Sequence, residues 1–169
     1  LRRLIQFGER VPNPNTEKGR EQIRTRAQTL SKMYMFKEAL ALTDLLPRQE
    51  DPASRKKLAY DSFRAKDYQR AINLFSEIEN PNGEDMYHHA LANARLGQYA
   101  KASEIYTELF TALPGHARSD IASYKIGYML YDEGNLSEAI EALNLHLERY
   151  SKSKHADEAR WVIGWGFIK

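Results

Sequence analysis

The chain contains one passage twice. Ala122-Ser-Tyr-Lys-Ile-Gly-Tyr-Met-Leu-Tyr131 and Ala159-Arg-Trp-Val-Ile-Gly-Trp-Gly-Phe-Ile168 align without a gap, 37 positions apart. Small, aromatic, aliphatic, glycine and aromatic residues recur at matching places. Between the copies, Gly134-Asn-Leu-Ser-Glu-Ala-Ile140 reads as a turn followed by a second helix. Self-similarity at a period of about 20 to 50 residues is the signature of stacked helical or mixed repeats, in which each unit buries its apolar face against its neighbours.

The same grammar runs back through the chain. Two prolines in Val11-Pro-Asn-Pro-Asn15 remove backbone donors and restrict the residues before them, so this stretch is a linker, and Thr16 is the expected N-cap for the helix after it. Leu1–Phe7 reads as the end of a preceding helix closed by Gly8, so residues 1–15 form one segment and 16–169 the repeat region. Helices are expected in pairs: Glu21–Lys32 with Phe36–Leu46, Pro52–Ala65 with Tyr68–Glu79, Glu84–Leu96 with Tyr99–Leu113, and Asp120–Glu133 with Leu136–Tyr150. His155–Lys169 then opens a fifth pair. The punctuation is Pro47, Asn80-Pro-Asn-Gly83, Gly97, Pro114-Gly115 and Gly134.

A small residue sits midway along each first helix (Ala27, Ala59, Ala90, Gly127, Gly164) and each second helix (Ala39, Ala71, Ala102, Ala139). Paired helices cross closely only where bulky side chains are absent. Phe36, Tyr68, Tyr99 and Leu136 stand three residues before those second-helix alanines and wedge the turn. Phe75, Tyr106 and Leu143, four after, fill the neighbouring pocket, and Thr43 does so weakly.

This pattern resembles the tetratricopeptide repeat (TPR) family, whose second helix opens Gly-Asp-Tyr-x-x-Ala. Lys66-Asp-Tyr-Gln-Arg-Ala71, Gly97-Gln-Tyr-Ala-Lys-Ala102 and Gly134-Asn-Leu-Ser-Glu-Ala139 carry that signature, and Ile126-Gly127 and Ile163-Gly164 that of the first helix. The chain departs from it at Arg26 and His89, where the family prefers leucine, and at Tyr34, where it prefers glycine. The resemblance implies an all-α, right-handed α-solenoid of about four helix pairs plus a terminal helix. The lengthened turns Leu113–Asp120 and Tyr150–Ala159 are similar to linkers in bacterial cell-envelope repeat proteins. That group includes outer-membrane-assembly lipoproteins, Tol–Pal-associated proteins and the superhelical region of soluble lytic transglycosylases. It implies a periplasmic or envelope location, with a cytoplasmic one still open.

Composition narrows the function. A 42% hydrophobic and 28% charged chain is foldable, and no run of apolar residues is long enough to span a membrane. The absence of cysteine excludes disulfides and thiolate metal sites. Residues 1–70 carry 16 Lys/Arg against 9 Asp/Glu, and residues 71–169 carry 9 against 14. The basic residues are scattered rather than striped, which argues against nucleic acid. The asymmetry reads either as drift among solvated faces or as a bipolar surface that orients a charged partner. His88 and His89 are adjacent and point about 100° apart on a helix, and His116, His146 and His155 fall in different elements, so no metal or cofactor is expected. Neither a phosphate loop nor a nucleophile elbow is present, and the chain is not expected to be an enzyme.

The expected binding surface is the groove lined by the first helices. Its candidate residues are Arg24, Gln28 and Lys32, then Tyr60 and Phe63, Tyr87 and Leu91, Tyr124, Tyr128 and Tyr131, and Trp161 and Trp165. Exposed aromatics suit an extended peptide, a partner helix or a glycan. The same positions also suit packing between repeats, so groove and core both remain open for the stripe. Three functions follow: a protein-binding scaffold, an accessory superhelix of a peptidoglycan-cleaving lytic transglycosylase, or an end-to-end self-association module through the open last repeat. The chain starts without methionine and stops inside a repeat, so it is expected to continue past Lys169 or to dock there.

Overall fold

A computed structural model describes residues 11–47 and 51–166. The expected helix end at Leu1–Phe7, its cap Gly8 and the last three positions of the final helix lie outside them. Among the described residues there are nine helices and no strand, arranged in two compact units, Leu1–Glu79 and Asn80–Lys169.

The first unit holds α1 (Glu17–Lys32), α2 (Phe36–Thr43), α3 (Pro52–Arg64) and α4 (Tyr68–Ser76). Helices α1 and α2 pack as one pair, α3 and α4 as another, and α2 also meets α3. Ile23, Ala27 and Leu42 form a core between α1 and α2, flanked by Leu30, Leu45 and Leu46. The second unit holds α5 (Gly83–Arg95), α6 (Tyr99–Ala112), α7 (Ser119–Asp132), α8 (Leu136–Arg149) and α9 (Ala156–Gly166). Each packs on the next, and α9 also touches α7. Met86, Ala90, Ala102, Tyr106, Leu109 and Ala122 build one core, and Leu143, Ala159 and Val162 a second.

Side-chain caps start four of the described helices, α1, α3, α4 and α5, whereas Gln98 and Asn135 make no such bond at the starts of α6 and α8. Thr16 Oγ1 accepts from the Gly19 amide at 3.1 Å, and Asp51, ahead of Pro52, accepts from Ser54 at 2.7 Å. Asn82 and Asp85 form a reciprocal capping box at the start of α5. Helices α2 and α4 stop about three residues before their expected ends. The hydroxyls of Thr43 and Ser76 turn back onto the carbonyls of Ala39 and Asn73, and Pro47 and Pro81 lie just beyond.

Within each pair the turn has one form. Tyr34, Lys66, Gly97 and Gly134 adopt φ of 61°, 65°, 73° and 83°. Each donates to the carbonyl three residues back, and the next residue donates to the carbonyl five back, for example Lys66 to Phe63 at 3.0 Å and Asp67 to Ser62 at 2.9 Å. This is the two-bond Schellman closure, which satisfies helix-end carbonyls through one left-handed residue.

The small residues lie where helices touch, with one exception. Ala59, Ala71, Ala90, Ala102 and Ala139 are buried, and so is Gly127. A Cβ on Gly127 would stand 2.5 Å from Leu143 Cγ and 3.3 Å from the Ala139 carbonyl oxygen, so only glycine permits this approach of α7 to α8. Gly164 is exposed, and a Cβ there would meet nothing within 4 Å. Its equivalent contact is made by the second helix of a pair, and no such helix follows α9 among the described residues.

Candidate functional site

In the first unit the first helices of the two pairs face each other across an open groove of about 990 Å³. Gln28, Ser31 and Lys32 of α1 line one side, and Lys57, Tyr60, Asp61 and Arg64 of α3 line the other; Tyr34 and Phe36 close the end at the α1–α2 turn. The spacing of 57, 60, 61 and 64 puts all four α3 residues on one helical face.

Asp61 organises the polar part. It is buried; Lys57 Nζ lies 2.6 Å from one carboxylate oxygen, and Ser31 Oγ donates to the other at 2.9 Å. Arg64 Nη1 is 3.8 Å from Asp61, and its guanidinium lies 5.6 Å from the centre of the Phe36 ring. Lys57 and Arg64 thus face the one carboxylate, Lys32 lines the same groove, and the groove keeps a positive surplus. Tyr60 is held edge-on against Phe75 at 5.2 Å. A partner that fits this arrangement carries negative charge beside an apolar or aromatic group.

The predicted residues fall into three groups. Lys32, Gln28 and Tyr60 line the groove. Arg24 instead borders an adjoining pocket of about 80 Å³ with Thr43, Leu46 and Ser54, which shares Gln28, Lys57 and Asp61 with the groove. Phe63 packs edge-to-face on Tyr68 at 5.5 Å, across the α3–α4 turn.

In the second unit most of the stripe is interior. Tyr87 is buried against Tyr106 at 5.8 Å, with the Arg118 guanidinium 4.7 Å over its ring, and Leu91 packs on the same cluster. Tyr124 is also buried. Its ring stacks on His155 at 4.7 Å and 8°, and burial, then the Glu158 carboxylate, pushes its hydroxyl pKa up to about 12. Tyr131 packs half-buried on that cluster. Tyr87 and Tyr124 are packed in the core of this unit: residues of the next pair, Arg118 and Ala122 beside Tyr87 and His155 and Ala159 beside Tyr124, close over them. Tyr128, Trp161 and Trp165 stay exposed, the two indoles 5.7 Å apart.

Sequence reasoning missed Ser31, Lys57, Asp61 and Arg64, and read Tyr34 only as a departure and Phe36 only as a wedge. The available signal was the i, i+4 pair Lys57–Asp61 on the face of Tyr60. It also missed the setting of His146. That side chain is 0% exposed, neither ring nitrogen has a hydrogen-bond partner among the described residues, and Asp120 Oδ1 stands 3.9 Å from Nε2. The rings of Tyr124 and Tyr150 flank it at 5.8 Å each. Burial lowers its pKa, and the Asp120 carboxylate opposes the shift. Among the described residues no cluster of three His, Cys, Asp or Glu has metal-binding geometry, and no helix is long and apolar enough to cross a membrane.

Paired antiparallel helices, left-handed turn residues and small residues at the crossings define a tetratricopeptide-repeat fold, and solved structures agree. YrrB, a TPR protein with an unusual peptide-binding site, is 18% identical, with a TM-score of 0.63 over 86% of this chain and 75% of that one. MamA 41-end from Desulfovibrio magneticus RS-1 is 18% identical, with a TM-score of 0.60 over 88% of this chain and 93% of that one. A putative kinesin light chain of Podosopora anserina with TPR-like repeats is 16% identical, at 0.60 over 88% and 85%. No curated protein matches the chain significantly. The profile of the YfiO family, described as outer membrane lipoprotein, matches residues 79–169, and the chain belongs to that family.

Proposed function

We propose that the chain is a non-catalytic scaffold of the bacterial cell envelope whose α1–α3 groove holds an extended, acidic segment of a partner protein. The groove carries this reading: three cations and three aromatic rings line it beside one buried, already neutralised carboxylate. Membership of an outer-membrane-lipoprotein family supports the envelope setting. Fluorescence anisotropy with labelled peptides tests it. Acidic peptides that carry an aromatic residue should bind, and basic peptides of equal length should not. Replacing Lys32 and Arg64 by glutamate should weaken binding tenfold or more, consistent with roughly 1 to 3 kcal/mol for charge-assisted contacts, at unchanged helicity. Equal binding by the charge-reversed variant would sink the reading.

The exposed stripe of Trp161, Gly164 and Trp165 favours a second reading, self-association through α9. Sedimentation velocity across a hundredfold concentration range separates the two. Growth in mass that Trp161→Ser with Trp165→Ser abolishes would support association. Retention on purified peptidoglycan, lost in the same variant, would instead favour a glycan-binding role for the indoles.

A further inference from the structure

The turn between α1 and α2 is unlike the other three. Three consecutive apolar side chains stand in solvent there: Met33 at 61% exposure, Tyr34 at 83% and Met35 at 36%. The corresponding left-handed positions are Lys66, Gly97 and Gly134, residues that water accommodates readily. Tyr34 holds φ 61° while largely in solvent, its ring only edge-on to Phe36 at 6.0 Å. Lys32 and Lys37 flank the turn, both exposed, and the Arg64 guanidinium sits behind it over Phe36. From Thr29 to Thr43 the one carboxylate is Glu38, on α2 and half-buried. The neighbouring α3 carboxylate, Asp61, is already paired with Lys57, and Asp67 caps α4.

We propose that Met33-Tyr34-Met35 is a membrane-contacting tip, which seats its two thioethers and one phenol among the headgroups of an anionic phospholipid bilayer while Lys32 and Lys37 bind the lipid phosphates. The chemistry fits the interface on each count. Tyrosine prefers the headgroup level, where ring and hydroxyl meet different media. Methionine is flexible enough to fill irregular apolar space. Lysines on either side add attraction that an acyl core alone does not provide. A turn this exposed offers a convex edge, which a bilayer accepts and a protein groove meets only with matched shape. Lys32 and Tyr34 border both the tip and the peptide groove, whereas Met33, Met35 and Lys37 lie outside the groove lining.

The chain has no cysteine, so Tyr34→Cys gives a unique site for an environment-sensitive fluorophore. Its emission should shift to the blue on vesicles of phosphatidylglycerol and phosphatidylethanolamine, stay unchanged on pure phosphatidylcholine, and revert at high salt. The same label at the exposed Lys152 should not respond. In flotation of the otherwise native chain, Lys32→Gln with Lys37→Gln should lower vesicle partition roughly 20- to 30-fold, from a gain of about fivefold per near-surface lysine. Met33→Ser with Met35→Ser should abolish it, and Tyr60→Ala, a groove residue, should leave it intact. No shift at position 34 on anionic vesicles, or an equal shift at position 152, overturns the proposal. A shift with polyglutamate but not with vesicles also overturns it and assigns the tip to an acidic protein.

Discussion

Gly127 and Gly164 occupy one position of the repeat and meet opposite surroundings, so one substitution should have opposite signs at the two places. At Gly127 a methyl would press on Leu143 at 2.5 Å, and Gly127→Ala should cost about 1 to 3 kcal/mol, the usual penalty for overpacking. At Gly164 nothing is near, and Gly164→Ala should stabilise by up to about 1 kcal/mol through helix propensity. Urea unfolding of both variants checks the pair. Equal effects would mean that Leu143 yields freely. His146 gives a second test. Its folded pKa lies below the ordinary histidine value, so under acid the unfolded chain binds the extra proton and the folded one resists it. Stability should therefore be intact above about pH 6.5 and fall below it, by at most about 1.4 kcal/mol per pH unit from this group. His89, also lowered by burial, adds a parallel slope, so the quantity to measure is the difference between the chain and His146→Leu across pH 5 to 7.5. A difference that does not change with pH would show that His146 takes up its proton without cost.

Four of the described helices, α1, α3, α4 and α5, begin where a side chain holds their first amides, while α2, α6, α7 and α8 start without such a bond. Thr16 was legible in the sequence as a cap, and it caps; Asp51 and Asn82 cap as well, though the sequence reading did not single them out. Asn82→Ala should lower stability by about 1 kcal/mol, because Asp85, itself buried, loses its reciprocal partner. Thermal melts followed by circular dichroism check it, and a loss below a few tenths would put the start of α5 under the control of packing alone. The glycine turns at 97 and 134 were equally plain. Tyr34 and Lys66 were harder, because no side-chain chemistry announces a left-handed residue that is not glycine; only the repeat register points there. The groove was half legible. Lys32 and Tyr60 follow from helix periodicity, but Asp61 looks like any surface carboxylate until α1 brings Ser31 against it. Tyr124 and Tyr128 are four apart, about 40° round the helix, and that angle separates a buried ring from an exposed one. Periodicity resolves a face and not its edge.

At the level of the whole molecule, helix pairs within each unit cohere through contacts with their neighbours, as repeat proteins do. The family match, residues 79–169, nearly coincides with the second compact unit, Asn80–Lys169. That unit holds two cores of its own and a brace between its two long turns, where Tyr150 Oη donates to the Pro114 carbonyl at 3.1 Å and Ser153 Oγ to Asp120 at 2.6 Å. Residues 80–169 expressed alone should therefore fold, with a helical circular-dichroism spectrum and one cooperative melt. A random-coil spectrum would show that the first unit is needed to nucleate the second.

The four Schellman turns share a backbone and differ in what they display: a tyrosine, a lysine and two glycines. Because main-chain hydrogen bonds alone close the loop, the side chain at its apex is released from architectural duty. Each such turn works like an interchangeable key on a fixed ring. New recognition can be cut into any one of them, by drift or by design, without reshaping the helices that carry it.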